Sequence, residues 1–305
     1  MKRHALVLLS IPAGLILMVL SVFGCAKKPI PVADLLSPAE TLWCEASGTF
    51  EKRGESGVID WSNTADGYVM AMHESPCERT VKAQVKGPNV TYTYTLAPGE
   101  WASFPLTDGD GEYRVNLLEN VEGNKYALTL SAGFVAELSD DFAPFLRPNR
   151  FVDYQSAPLA VDAAARVTAG TSGVLDKVGK IYAYVLGTLS YDRQLAKTVQ
   201  PGYVPDLDRA ITTGKGICFD YAALMAGMLR AVGVPTKLVV GYAGDVYHAW
   251  ISVYAEELGW VEKIVYFDGV NWQRMDPTFA DAGLGESELR TYVGDGKNYV
   301  EKYIY

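Results

Sequence analysis

Gly214-Lys215-Gly216-Ile217-Cys218-Phe219-Asp220-Tyr221-Ala222-Ala223-Leu224 decides how the rest of the chain is read. Two glycines make a turn, and a helix follows. Ala222, Met225 and Leu229 stand four, seven and eleven residues after Cys218, so the thiol shares a face with apolar residues that bury. Gly233 and Pro235 then stop the helix. A thiol in the first turn meets the positive end of the helix dipole and unpaired backbone N–H groups. Both favour the thiolate, the nucleophilic form.

A thiol enzyme also needs a histidine to move protons and a group to orient that histidine. The chain has three histidines. His4 lies in the leading segment, and His73 ends a strand-like run and reads as surface or structural. His248 lies in a run whose alternation turns Ala249, Ile251 and Val253 to the core and leaves His248 and Trp250 on the other face. Asp276 ends a strand before Pro277, where a carboxylate can accept from an imidazole N–H. Asp220 and Tyr221, on the turn of Cys218 itself, are less suited because they point elsewhere around the helix. Around these residues the pattern predicts a helix over 174–189 capped by Thr171 or Ser172, and a loop over 200–206. It also predicts strands over 236–242 and 247–254, and a hairpin of 265–267 with 270–275. Trp250, Trp260 and Trp272 read first as core.

Taken in order, Gly-Lys-Gly-Ile-Cys218-Phe-Asp-Tyr-Ala, Leu229 to Pro235, Val240-Gly241-Tyr242, His248-Ala249-Trp250 and Asp276-Pro277-Thr278 resemble the core of the transglutaminase-like superfamily. Tyr191-Asp192 resembles a further block of it. The resemblance covers about residues 160–280. It implies a papain-like α+β core with Cys218 as nucleophile, His248 as base and Asp276 as orienting acid. The shared step it implies is attack on an amide to give a thioester. The oxyanion donor carries no motif. The backbone N–H of Cys218 is the geometric default, and Tyr191, Gln194 and Trp250 are side-chain candidates for that role or its support.

The first half has a different period. Val81, Ala83 and Val85 alternate with polar residues, as do Val90, Tyr92, Tyr94 and Leu96, then Tyr113, Val115 and Leu117, then Tyr126, Leu128 and Leu130. Turn residues separate these runs, which predicts an antiparallel β-sandwich. Asp108-Gly109-Asp110-Gly111 reads as a hairpin turn, because an EF-hand loop would need glycine where Tyr113 stands. The expected organisation is therefore α+β: a leader over 1–24, a tether over 25–40, a β-sandwich over 41–138, a proline-marked linker over 139–159 and the transglutaminase-like domain over 160–305.

The N-terminus reads as an export signal. Lys2 and Arg3 precede an apolar run, and Val22-Phe23-Gly24-Cys25 is similar to a bacterial lipoprotein processing site, with Cys25 as the lipidated residue. An uncleaved signal anchor is the alternative, and both place the mature chain outside the cytoplasmic membrane. Cys44 and Cys77 are left over. They form either a disulfide, worth about 3–4 kcal/mol for such a loop, or two buried free thiols. They lack the Cys-x-x-Cys spacing of a redox pair.

The net charge of -9 argues against nucleic acid as a partner, since phosphate binding needs clustered lysine and arginine. The chemistry calls for no metal or organic cofactor. The expected partners are a protein or cell-wall peptide substrate and the membrane, through the lipid. The expected function is an extracytoplasmic thiol enzyme acting on amide bonds. Hydrolysis is favoured over cross-linking, because no dedicated amine site is evident. The alternative is a non-catalytic scaffold or surface-binding lipoprotein with the same fold.

Overall fold

The computed structural model describes residues 41–74, 78–256, 258–261, 265–267, 272–274 and 299–305. The leader, Cys25, the tether, Cys77 and Asp276 lie outside the described residues.

The period of two in the first half makes strands, since it covers one face of a sheet. β1 (Glu51–Gly54), β2 (Gly57–Asp60), β3 (Tyr68–His73) and β6 (Ala102–Pro105) form one antiparallel sheet in that order. β4 (Val81–Lys86), β5 (Thr91–Leu96), β7 (Gly111–Glu122) and β8 (Lys125–Ala136) form a second, in the order β5-β4-β7-β8. Ile59, Val69 and Phe104 of the first sheet and Val85, Tyr94 and Val115 of the second belong to one buried cluster.

Asp108-Gly109-Asp110-Gly111 is not a hairpin turn. It carries the chain from β6 in one sheet to β7 in the other. Its carboxylates accept backbone N–H groups: Asp108 from Asn89 (2.5 Å) and Val90 (2.9 Å), Asp110 from Leu138 (2.6 Å). His73 is structural. It is buried, with Nδ1 2.7 Å from the Glu74 carbonyl and Nε2 3.0 Å from the Glu119 carboxylate.

Residues 139–159 do not behave as a linker. Phe142, Phe145, Leu146, Val152 and Tyr154 are buried there, and Tyr154 donates to the carbonyls of Leu42 (2.7 Å) and Leu146 (2.8 Å). The same buried cluster runs from the two sheets through this segment into the helices, so the core is continuous across the expected boundary. Cys44 packs against this region as a free thiol, donating to the Pro148 carbonyl at 3.3 Å. Cys77, the other half of the possible disulfide, lies outside the described residues. Burial pushes the Cys44 thiol up to about 12.

The second half holds α1 (Pro158–Val167), α2 (Val174–Thr188), β9 (Ser190–Tyr191), α3 (Arg193–Thr198), α4 (Leu207–Thr213), β10 (Lys215–Gly216) and α5 (Cys218–Ala231). The N-cap of α2 is Gly173, not Thr171 or Ser172. The short helices α3 and α4 each start on an aspartate, Asp192 and Asp206, whose side chains accept N–H groups of the first turn. β11 (Thr236–Ala243), β12 (Val246–Ala255), β13 (Gly259–Val261) and β16 (Tyr299–Ile304) form a sheet in the order β13-β12-β11-β16. β14 (Val265–Phe267) and β15 (Trp272–Arg274) pair as the expected hairpin. Among the described residues no helix is long and apolar enough to cross a membrane.

α5 is the centre of this half. Every residue from Asp220 to Ala231 is buried, so the helix is apolar around most of its circumference rather than along one stripe. Its last turn carries a buried arginine. Arg230 donates to the carbonyls of Thr236 (2.9 Å), Arg147 (2.8 Å) and Tyr305 (2.7 Å). This ties α5 to β11, to the segment after the two sheets and to the end of β16.

Candidate active site

The turn before Cys218 is built by its two glycines for different reasons. Gly214 ends α4 in the left-handed conformation (φ 64°), which an L side chain rarely adopts. Gly216 has ordinary torsions, but a Cβ there would stand 2.6 Å from the Cβ of Asp220. Between them the chain pairs with β9 in parallel, Lys215 with Ser190 and Gly216 with Tyr191. Ser190 N–H donates to Gly214 O (2.9 Å), and Asp192 N–H donates to Gly216 O (2.8 Å).

The space kept by Gly216 is filled by Asp220, which sequence reasoning set aside. Asp220 is fully buried. Its Oδ2 accepts from the Ile217 N–H (2.9 Å), closing the first turn just before Cys218. Its Oδ1 accepts from the Tyr203 hydroxyl (2.6 Å) and lies 3.4 Å from Arg209 Nη2. Arg209 also donates to the Tyr203 oxygen. Burial pushes the Asp220 carboxyl up. The bonds from Tyr203 and Ile217 and the charge of Arg209 pull it back, and Asp192 adds to the push. Burial and then Asp220 push the Tyr203 phenol up.

Cys218 is the first residue of α5, as the spacing predicts. Its side chain is half-buried and packs on the core cluster. Tyr191 packs on the same cluster, with its backbone beside the cysteine turn. Gln194 is exposed in the first turn of α3, its N–H held by Asp192 at 3.0 Å.

β12 alternates as expected. Ala249, Ile251 and Val253 belong to the cluster that includes α5. Tyr247 is on that face too, in ring contact with its partner Tyr242 (centroids 5.4 Å). Burial raises the Tyr247 phenol, and the charges of Tyr303, Tyr242 and Cys218 add to the rise. His248 and Trp250 are buried on the opposite face, their ring centroids 6.3 Å apart, and Trp250 packs with Val239, Ala243 and Tyr299. The alternation thus presents Tyr247, and not His248, on the side of the sheet where Cys218 packs. Trp250 Nε1 and Ser252 Oγ, also on the His248 face, are buried without a hydrogen-bond partner among the described residues.

The cysteine turn at the start of a buried helix, followed by the β11–β12 hairpin, is the arrangement that the motif order requires. Residues 161–277 match the family model of the transglutaminase-like superfamily. The matched stretch runs from within α1 to just after β15. Over 102 residues the chain is 30% identical to a protein-glutamine gamma-glutamyltransferase of Pseudomonas aeruginosa, covering 29% of this chain and 15% of that protein. Over 118 residues it is 27% identical to the uncharacterized protein YebA of Bacillus subtilis, covering 32% of this chain and 16% of that protein. The chain therefore spans a small fraction of these curated relatives. Among solved structures, a candidate cysteine protease from Cytophaga hutchinsonii is 16% identical with a TM-score of 0.35, covering 78% of this chain and 83% of that one.

Proposed function

We propose that the protein is a thiol enzyme of amide bonds, exported and held at the membrane through a lipid on Cys25. The observation that carries the reading is Cys218 as first residue of a buried helix, itself only half-buried, behind a turn built by Gly214, Gly216 and Asp220. The thiolate attacks the amide carbon and a C–S bond forms. The C–N bond breaks, and the leaving amine takes a proton from the acid partner. Water then attacks the thioester, releases a carboxylic acid and returns the thiol. His248 is the acid–base partner and Asp276 its orienting group. The Cys218 N–H is the oxyanion donor. Hydrolysis is favoured over transfer to a second amine, and the substrate is a protein or a cell-wall peptide.

The test supplies glutamine-containing and branched wall-type peptides with hydroxylamine, and measures amine release and hydroxamate formation. Activity in the wild type and its loss in Cys218→Ala is the expected result. No release with either protein would overturn the reading.

One observation favours a second reading, a non-catalytic scaffold or surface-binding module: β12 holds His248 on the face opposite the side where Cys218 packs. In that case Cys218→Ser leaves surface binding and phenotype unchanged.

A further inference from the structure

Cys218 begins a helix whose third residue is a buried carboxylate, so a negative charge is fixed in the same first turn as the thiol, and a negative charge opposes a nearby thiolate. The carboxylate is not left alone. Tyr203 comes from the loop before α4 and Arg209 from α4 itself, and both reach Asp220. Arg209 keeps 43% of its side-chain surface exposed, while Asp220 has none. The cation thus stands at the rim and the anion inside, with the tyrosine oxygen between them accepting from one and donating to the other. The two oxygens of Asp220 divide the work. Oδ2 fixes the Ile217 N–H, and so the peptide that enters Cys218, while Oδ1 takes the tyrosine and the arginine.

We infer that Arg209, Tyr203 and Asp220 form a positioning clamp that orients the Ile217–Cys218 peptide and cancels the carboxylate's charge beside the thiol. The three are positioning residues, since they act through Cys218. The inference rests on the reading of Cys218 as a nucleophile. Among the described residues, other titratable groups that act on these side chains are Asp192 on Asp220 and Asp206 on Arg209, and Cys218 itself acts on Tyr247.

The experiment follows alkylation of Cys218 by iodoacetamide against pH, resolved by peptide mass spectrometry, in the folded full chain. Arg209→Gln keeps a hydrogen-bond donor and removes the charge. It is expected to move the midpoint of the rate–pH curve up by about one unit, which is about tenfold in rate below the midpoint. Arg209→Lys restores most of the shift. The double variant Arg209→Gln with Asp220→Asn removes both charges and returns the curve to near the wild-type position. Tyr203→Phe gives a smaller shift in the same direction, and it decides the matter if Arg209→Gln does not fold.

Superposed wild-type and Arg209→Gln curves would overturn the clamp. So would a double variant that stays with the single one, or, where Arg209→Gln does not fold, an unmoved Tyr203→Phe curve. Each comparison is between variants of one thiol, so it stands apart from the enzyme reading. Failure of that reading appears instead as absent amide turnover in the wild type.

Discussion

Two free thiols of this chain sit in opposite settings. Cys44 is 3% exposed and donates to a carbonyl, and burial pushes it up to about 12. Cys218 is half-buried as the first residue of α5, whose first turn also holds the Asp220 carboxylate paired with Arg209. The first is held as a neutral packing group. The second stands where a negative charge can be met by dipoles. Burial and the partner atom, more than the thiol itself, set what each can do.

The largest expected effect is on reactivity. At pH 8 a thiol with the Cys44 value is ionised to only about one part in ten thousand. In the folded protein, peptide-resolved alkylation should label Cys218 at least about a thousandfold faster than Cys44. Equal rates at the two sites would remove the contrast.

Next comes the turn that presents Cys218. Gly216→Ala forces a Cβ against Asp220 and should cost about 2 kcal/mol in denaturant unfolding, with slower alkylation of Cys218 and no change at Cys44. A loss below about 0.5 kcal/mol would mean that the Asp220 cap gives way without consequence.

The smallest effect concerns Cys44 and alkaline pH. Its folded value is raised above the ordinary 9.0 by burial, so the folded state holds the proton longer than the unfolded chain. Stability is therefore lost as pH rises from about 9 toward 12, with a slope of up to about 1.4 kcal/mol per unit from this group. Cys44→Ala should flatten that fall relative to the wild type. Identical slopes would show that Cys44 is not buried as a thiol.

The helix at Cys218, the alternation of β12 and the hairpin of β14 and β15 were legible because each follows one local period. The clamp was not. A carboxylate at the third helical position can close the first turn whatever face it points to. The usual sign of such a cap is a serine or threonine at the start, and Ile217 stands there. Tyr203 and Arg209 come from a loop and a short helix, whose proximity to Asp220 is a tertiary fact. The aspartates that start α3 and α4 were the signal for those helices, and the proline-rich context masked it. Phe142, Phe145, Val152 and Tyr154 carry no regular period, so residues 139–159 read as a linker while the core closes over them. The fate of Cys44 was likewise undecidable by spacing, because a disulfide depends on distance between Cα atoms.

β12 leaves the sharpest question. The family resemblance gives Cys218 to His248, while the strand puts Tyr247 on the cysteine's side. The direct test is the pH dependence of Cys218 alkylation in the wild type, His248→Ala and Tyr247→Phe. A working Cys218–His248 pair slows alkylation in His248→Ala relative to the wild type and leaves Tyr247→Phe unchanged. Superposed rate–pH curves for the wild type and His248→Ala would contradict the pair and leave the domain a binding module.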